Sequence, residues 1–432
     1  MITGMTTSAE RTQWREWVFL AFLALGVRLL AASVIDGWRH PQMYEYETVV
    51  QSLLAGRGFS EGVYRSPMEP LYPIVCAVVY AMTGGCVAAV VLLQMLLGAA
   101  TAILVGVMGQ RVFGRTAGRI GGLLAACHPG LIIYASAKAH SLTFDAFLFL
   151  LAVWQIYRMR EDQTTRRAAW AGLVLGIGIL SRATAIVLLP VGLVWLLMIR
   201  PRPARLMEFK RWVLMAACAG VVITPWLVRE VIVHHRFVFI RSTSWEMFWR
   251  GNNPQATGGS QLDATHTIYD RLSPEDLAEV QRLPDEDQQA RWFRDRAFQF
   301  IRANPWGFVH LTAKKFRKFW WFTSETGLLY PRLWLRAYQG FYALIVFCAL
   351  VGCWTVIRQG SAHQRQALQL IGGSLFILSL GQSFYYVEGR HRWAVEPLVL
   401  VIAAAGASTL ISRVRAFLSG AARVEENSLA AR

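Results

Sequence analysis

The sequence LYPIVCAVVYAMT, residues 71–83, decides how the chain is threaded through a membrane. It is an apolar segment of 13 residues, shorter than the roughly 17–25 residues that a helix needs to cross a bilayer. The apolar segments on either side, 17–35 and 87–110, are long enough to cross. We therefore predict that 71–83 is a helix that lies at, or dips into, one membrane surface between two crossing helices.

The composition of the whole chain indicates a polytopic membrane protein. Apolar residues make up 55% and charged residues 16% of its 432 residues, whereas soluble domains contain about 25% charged residues. The predicted fold class is an all-α membrane protein with about ten transmembrane helices. These are 17–35, 87–110, 117–136, 142–158, 168–181, 184–199, 212–228, 334–357, 366–386 and 393–412.

Arginine-rich turns predict the orientation. If 71–83 does not cross, the basic turns at 111–119, 158–167, 200–211 and 358–365 lie on one side of the membrane, together with both termini. Short loops rich in lysine and arginine face the cytoplasm. If 71–83 crossed, the first two of these turns would move to the outer side, so the non-crossing alternative fits better.

Three regions follow from this threading. Residues 1–228 form an N-terminal transmembrane module that contains a first outer loop, 36–84. Residues 229–333 form an outer loop of about 100 residues, and 334–432 hold the last transmembrane helices and a cytoplasmic tail. The outer loop and the first outer loop are expected to contain juxtamembrane helices, among them a helix capped by Ser273.

Several function classes lack support in the sequence. The net charge is +17, but the basic residues are spread between apolar runs and form no separate nucleic-acid-binding domain. The six cysteines lie in or beside apolar segments without a CxxC pair, which indicates core residues and not disulfides or metal ligands. Nucleotide-binding, zinc-protease and serine-esterase motifs do not occur.

Two carboxylates begin the stretch YEYETVVQSLLAGRGFSEGVYRSPMEPLYP, residues 44–73. Glu45 and Glu47 are two positions apart, so they do not share one face of a helix. One of them could act as a general base that takes the proton of an acceptor hydroxyl. The simpler alternative, a solvated loop carboxylate, stays open, and the spacing alone favours it.

Cationic side chains fall on the same predicted outer side. They are Arg65, Lys138, Arg182, Arg390 and Arg392. A cation at or inside a membrane span is costly and usually has a partner or a function, and the arginine fork matches the geometry of a phosphate. The pattern predicts a phosphate-binding site. The alternatives are snorkelling for Arg65 and pairing with a structural carboxylate for Arg182.

Five stretches resemble bacterial GT-C glycosyltransferases of the protein-mannosyltransferase and aminoarabinose-transferase-like kind (glycosyltransferase family 39-like). In chain order they are YETVVQSLLAGRGFS with SPMEPLYP, HPGLIIYASA, ILSRAT, ITPWLVREVIVHHRFVFI with WRGNNPQATGG, and EGRHRWAVEPLVL. The resemblance covers most of residues 17–412. It implies a polyprenyl-phosphate-linked sugar donor and inverting transfer to an acceptor (lipid A, a glycan or a protein) outside a bacterial inner membrane, with the site facing the periplasm.

The resemblance also implies roles for particular residues. Gln42 stands where the family usually has a catalytic aspartate, and Glu45 fits a variant pattern with glutamate three residues later, so Glu45 is the first candidate base and Glu47 the second. The family's acidic residue in the second outer turn falls at Ser141, with Asp145 following later. Its lysine before the proline pair falls at Met68, so Arg65 is expected to take that part.

The remaining implied roles concern the two substrates. Arg390 and Arg392, with Arg65, Lys138 and Arg182, would bind the lipid phosphate. The residues implied to shape the acceptor site in the outer loop are Arg229, Asn252 and Asn253. No metal motif is visible, although a divalent cation held by Glu45 or Glu47 together with a phosphate stays an alternative.

Two rival functions would use some of the same features. A transporter or flippase of lipid-linked sugars would also need cations near a lipid phosphate, but transporters commonly carry polar groups at the bilayer midplane in repeated halves. Here the polar groups are predicted at one face and no repeat is visible. A non-catalytic scaffold that docks partners through the outer loop would leave the outer arginines unexplained.

Overall fold

The computed structural model describes residues 8–43, 46–62, 64–260, 266, 270, 272–323 and 331–430, with side chains from Trp14 to Ser419. The N-terminal half of the chain forms helices α1 (Ser8–Ile35), α2 (Tyr46–Leu54), α3 (Leu71–Thr83), α4 (Val87–Phe113), α5 (Arg115–Ala126), α6 (Pro129–Ser136), α7 (Leu142–Glu161), α8 (Thr165–Ser181), α9 (Leu188–Met198) and α10 (Arg205–His234).

The C-terminal half forms the outer-loop helices and the last apolar helices. They are α11 (Ser244–Arg250), α12 (Pro274–Arg282), α13 (Glu286–Ala303), α14 (Pro305–Trp320), α15 (Arg332–Gln359), α16 (Ala362–Ser383), α17 (Gly389–Trp393) and α18 (Glu396–Ala430). The described residues form no β-strand beyond two isolated bridges. The predicted all-α fold class is confirmed.

Six of these helices are long and apolar enough to cross a membrane. The crossing segments are Trp14–Ile35, Val87–Phe113, Leu142–Glu161, Arg202–His234, Arg332–Gln359 and Glu396–Ser419. They coincide with six of the ten predicted spans. The other four predicted spans also fall on helices, but these helices are interrupted, short or less apolar.

The predicted span 117–136 is interrupted at Pro129. Helix α5 ends at Ala126 and α6 begins at Pro129, because proline lacks the backbone N–H that a continuous helix requires. The His128 ring caps α6, with Nδ1 accepting from the backbone N–H of Leu131 at 3.2 Å. The predicted span 184–199 likewise begins with a 3₁₀ turn, Ala183–Val187, before α9.

The apolar segment that decides the threading forms α3, Leu71–Thr83, with the predicted bounds. Gly84 ends the helix in the left-handed conformation, φ +67°, and donates its N–H to the carbonyl of Tyr80. Tyr72, Cys76 and Tyr80 are buried against α2 and α4, whereas Val78 and Met82 are exposed. A short helix with one buried and one exposed apolar face fits the predicted position at a membrane surface.

Helix pairs in the core approach one another closely at glycines. Gly406 of α18 and Gly352 of α15 face each other, and a Cβ added at Gly406 would lie 1.9 Å from the carbonyl oxygen of Cys348. On α4, Gly98 leaves space for the fully buried guanidinium of Arg28, which donates to the carbonyl of Ala24 at 2.8 Å. Small residues at such crossings allow the backbones to approach within van der Waals contact.

Candidate active site

The second outer turn is held in place by a buried amide from α4. The Gln94 carbonyl oxygen accepts from the Tyr72 hydroxyl at 2.7 Å and from the backbone N–H of His140 at 3.3 Å. Its amide nitrogen donates to the carbonyls of Lys138 at 2.8 Å and Tyr134 at 3.4 Å. One fully buried side chain therefore joins α3, α4 and the turn that carries Lys138 and His140.

The first outer loop also pairs with this turn. The backbone N–H of Gln42 donates to Ala137 at 2.8 Å, and the carbonyl of Gln42 accepts from Ala139 at 3.0 Å, which forms a parallel bridge beside Lys138. The Tyr46 hydroxyl lies 3.2 Å from Ser141 Oγ. The structure thus brings together the two loops that carry the predicted chemistry.

Asp145, in the first turn of α7, is a buried carboxylate at the floor of this region. It accepts hydrogen bonds from Ser181 at 2.7 Å, Ser141 at 3.1 Å and Arg182 at 3.3 Å. Arg182 therefore has a carboxylate partner, as one of its two alternatives predicted. The pair lies in a cleft lined by Asp145, Phe149, Gly178, Arg182, Ala185, Leu378, His391, Ala394 and Val395.

The pKa values of two buried histidines are lowered by burial and by nearby positive charges. The pKa of His140 lies well below 6.5 because the ring is buried and because Arg390, Arg182 and Lys138 repel its protonated form. Burial, with Arg182 and Arg390, lowers the pKa of His391 in the same way. Both rings are neutral at pH 7. Lys138, Arg182 and Arg390 therefore all lie near His140. Arg182 pairs with Asp145 at 3.3 Å and Arg390 with Glu388 at 2.8 Å, so two of the three cations already have a carboxylate partner.

A second carboxylate, Glu69 of the stretch 44–73, lies in the same region, although the sequence alone assigned no role to it. Its Oε2 accepts from Arg241 Nη1 at 3.2 Å, while Arg241 Nη2 donates to the carbonyl of Pro67 at 2.9 Å. Burial alone would lower the pKa of Arg241, but Glu69, Tyr386 and Tyr46 outweigh burial and raise it. The charge of Glu69 also interacts with Asp145, so the two carboxylates face one region.

The two predicted bases have different outcomes. Glu47 accepts from the Gln51 amide at 2.7 Å and from the Tyr80 hydroxyl at 3.1 Å, so it faces α3. Tyr46, its neighbour on α2, is the residue that faces Ser141. Glu45 lies outside the described residues, and its assignment as base stays a prediction.

Arg65 and Arg229 anchor the first outer loop to the long outer loop. Arg65 donates its backbone N–H to Glu286 at 2.8 Å, and its side chain lies 3.4 Å from the same carboxylate. Arg229 donates to Ser66 Oγ at 2.8 Å and to the carbonyls of Arg65 and Phe59 at 2.7 and 3.1 Å. These contacts favour positioning roles over the predicted phosphate and acceptor contacts.

Arg392, a predicted phosphate ligand, is fully buried and paired within the protein. Its guanidinium donates to Glu396 at 2.5 Å, to the Tyr338 hydroxyl at 3.0 Å and to the carbonyl of Phe319 at 3.1 Å. Burial acts to lower the pKa of Arg392, but the charge of Glu396 outweighs it and raises the pKa. These contacts favour a structural role for Arg392, and its assignment as a phosphate ligand stays a prediction. The charge of Arg390 acts on both His140 and His391.

The two asparagines of the outer loop are also buried. Asn252 donates its amide to the carbonyls of Phe248 and Phe384, both at 2.7 Å, and Asn253 donates to Trp249 at 2.9 Å. Lys315 Nζ bonds to Asn252 Oδ1 and to the carbonyl of Gly251, both at 3.0 Å. The predicted acceptor residues therefore stabilise the outer loop internally, because their side-chain amide groups donate to backbone carbonyls.

Lys315 is expected to make the stability of the chain depend on pH. Burial lowers the pKa of Lys315 to about 7 from 10.5, so between these values the unfolded chain binds one proton more than the folded chain. The free energy of unfolding then rises as pH rises above 7, by at most about 1.4 kcal/mol per pH unit. Thermal unfolding in detergent between pH 7 and 9.5 measures this rise.

Replacing the lysine isolates its contribution. Lys315→Met should remove the rise in melting temperature between pH 7 and 9.5, whereas Lys314→Met, on the neighbouring position of α14, should keep it. An equal pH dependence in both variants would show that another group is responsible.

The described side chains contain no group of three or more histidine, cysteine, aspartate or glutamate residues able to hold an ion, and the alternative of a cation shared with a phosphate stays a prediction. Glu45, one of the two residues on which that alternative depended, lies outside them.

The chain resembles known proteins in part of its sequence and in its fold. Residues 66–228 match the family model of dolichyl-phosphate-mannose-protein mannosyltransferases. This range includes Lys138, Asp145 and Arg182. No curated protein matches the chain in sequence.

The solved structures most relevant to the fold are those of an archaeal oligosaccharyltransferase, AglB from Archaeoglobus fulgidus. In complex with an inhibitory peptide and a dolichol-phosphate, it aligns with 96% of this chain at a TM-score of 0.57 and 11% identity. In complex with zinc and sulfate, it aligns with 95% at a TM-score of 0.56 and 13% identity. The alignments cover 52% and 51% of AglB, so the chain spans about half its length.

A third solved structure is that of ArnT from Cupriavidus metallidurans bound to undecaprenyl phosphate. It aligns with 92% of this chain and 78% of its own length, at a TM-score of 0.46 and 14% identity. The chain is a multi-pass membrane protein. The predicted resemblance is confirmed in two respects, because residues 66–228 match the mannosyltransferase family model and the fold resembles that of AglB.

Proposed function

We propose that the chain is an integral membrane glycosyltransferase that moves a sugar from a polyprenyl-phosphate-linked donor to an acceptor at the cleft around Asp145. The observation that carries the proposal is the Asp145–Arg182 ion pair in the cleft, with Lys138 and Arg390 near the buried ring of His140 beside it. Cations for a leaving phosphate and carboxylates for an acceptor proton are the two groups that such a transfer requires.

In the proposed reaction the cations bind the donor phosphate before transfer and stabilise the charge that develops on it. The acceptor hydroxyl loses its proton to a carboxylate and forms a bond to the anomeric carbon, while the bond from that carbon to the phosphate oxygen breaks. Polyprenyl phosphate leaves, and the configuration at the anomeric carbon is inverted. Glu45 stays the proposed base, because the family resemblance assigns it, and Asp145 orients Arg182.

The prenyl chain is proposed to lie along α3. The exposed side chains of this helix, Ile74, Val78 and Met82, form an apolar face, and its buried face packs on α2 beside the cleft loops. Burying such a face against a prenyl chain is favourable, at roughly 25 cal/mol per Å² of apolar surface.

The proposed location is a bacterial inner membrane, with the cleft facing the periplasm and both termini in the cytoplasm. This orientation is supported by basic turns at the end of the helices opposite the cleft. Arg158 and Arg160 precede α8, and Arg200 to Arg211 lead into α10. The acceptor is proposed to be lipid A, a glycan or a protein.

Mass spectrometry of reactions with purified protein tests the proposal. The protein is reconstituted with polyprenyl-phosphate sugars and with lipid A, glycan or peptide acceptors, and we expect one acceptor to gain the mass of one sugar as polyprenyl phosphate appears. Movement of intact donor across a liposome bilayer without loss of the sugar would instead identify a flippase.

A further inference from the structure

A second cleft lies at the opposite end of the helices from the candidate active site. It is lined by Met198, Ile199, Ala362, Arg365, Gln366 and Gln369, between the end of α9 and the start of α16. Helix α16 has 22 residues and leads from this cleft to the segment that carries Arg390. At about 1.5 Å per residue, its two ends are roughly 30 Å apart, close to the thickness of a bilayer core.

The turns around the second cleft carry a large excess of positive charge. Residues 158–167, 200–211 and 358–365 contain eleven basic and three acidic side chains. All three acidic side chains are already paired: Glu161 with Arg111 and Arg158, Asp162 with Arg167, and Glu208 with Arg200 and Arg211. An anion that enters the cleft would meet a positive field that these carboxylates do not neutralise.

Arg365 is the cation that lines the cleft. It donates to the carbonyl of Gly360 at 2.7 Å, and no carboxylate among the described residues pairs with it. Gln366 is fixed by two hydrogen bonds. Its side-chain oxygen accepts from Arg160, and its backbone carbonyl accepts from Trp195 at 2.8 Å. Gln369 follows Arg365 by one helical turn, so both reach the cleft from one face of α16.

Exposed apolar side chains continue from the cleft along α16 and α9, and the space beside them is called the groove below. On α16, Gly372 leaves open space and Phe376 is 54% exposed; both follow Arg365 and Gln369 on the same helix face. On α9, Val194 and Met198 are 56% and 63% exposed. A polar, basic mouth that opens into an apolar groove matches a molecule with an anionic head group and a hydrocarbon tail.

We propose that this cleft binds one anionic phospholipid. The phosphate would bond to Arg365 and Gln369, and one acyl chain would lie over Gly372 between Val194 and Phe376. Basic pockets between transmembrane helices bind anionic lipid head groups by such charge pairing. The cleft would recognise an anionic phosphate group, which a phospholipid carries as a diester. The acyl chain attached to that phosphate distinguishes a lipid from free phosphate.

Native mass spectrometry of the full chain tests this binding. The protein is released from detergent after incubation with dioleoyl-phosphatidylglycerol, dioleoyl-phosphatidylcholine or inorganic phosphate. We expect one bound phosphatidylglycerol per chain, little phosphatidylcholine, and no displacement of the lipid by millimolar phosphate. Arg365→Gln should lower phosphatidylglycerol binding about fivefold, the effect of ~1 kcal/mol per basic residue.

Two further variants complete the test. Gly372→Phe should also lower binding by closing the groove, whereas Arg358→Gln, a matched loss of charge in the same turn, should lower binding far less than Arg365→Gln. Arg358 is suitable because it stacks on Trp354 of α15 and does not line the cleft. Equal binding by wild type and Arg365→Gln, equal binding of phosphatidylcholine, or displacement by free phosphate would each overturn the proposal.

Discussion

Replacing Asp145 by asparagine is expected to lower sugar transfer on the order of 10²–10³-fold while the chain stays folded. Asparagine has nearly the same volume, and its side-chain oxygen accepts from one of the hydroxyls of Ser141 and Ser181 that now bond to the carboxylate. It lacks the negative charge that holds Arg182 at 3.3 Å. Arg182 then loses the orientation that the proposed stabilisation of the leaving phosphate requires.

The matched control is Asp162→Asn at the other end of the same helix. Asp162 caps the C-terminus of α7 and pairs with Arg167, and the cleft lies at the N-terminus of α7. Initial rates with a fixed donor, together with the melting temperature in detergent, separate the two effects. Transfer by Asp145→Asn at the rate of Asp162→Asn would remove Asp145 from the mechanism.

The sequence predicted helix ends well where a proline or glycine next to the end determines it. Helix α3 follows a proline and ends at a glycine with positive φ, so its bounds could be predicted from the chain itself. The merged prediction for 117–136 failed because hydropathy is averaged across the break, although Pro129 is a local signal for a new helix.

For the candidate site, the sequence predicted on which side of the membrane the charged side chains lie, but not which residues they contact. Lys138, Arg182 and Arg390 were placed on one face by the threading, and the two buried histidines sense all or most of their charges. The contacts of Arg65 and Arg229 could not be predicted, because their partners, such as Glu286 and Phe59, are far away in sequence. No spacing rule reveals a contact across 170 or 221 residues.

Two other contacts of the candidate site had local signals in the sequence. Glu396 follows Arg392 by four residues, the spacing of an ion pair on one helix turn, and the pair is buried. Asp145 stands within an apolar helix, where a carboxylate is costly and commonly functional. These two signals point to the buried positions that Asp145 and Arg392 take in the structure.

The general base is the remaining assignment, and a series of three glutamate variants decides it. Glu45→Gln is expected to lower turnover about 10²–10⁴-fold, the usual contribution of a general base, without changing donor binding. Glu47→Gln is the matched control two positions later. Its carboxylate bonds to Gln51 and Tyr80 on the α3 side of α2, so the amide should keep turnover close to that of wild type.

Glu69→Gln distinguishes a base from a residue that positions the cleft. Glu69 pairs with Arg241, which in turn bonds to the carbonyl of Pro67 and the hydroxyl of Thr243, so its loss should disturb the loop and lower turnover about tenfold. A larger loss in Glu69→Gln than in Glu45→Gln, with the pH dependence of turnover abolished, would transfer the role of base to Glu69. Because the amide variants keep the side-chain volume in all three positions, the pH dependence of turnover separates a loss of proton transfer from a loss of positioning.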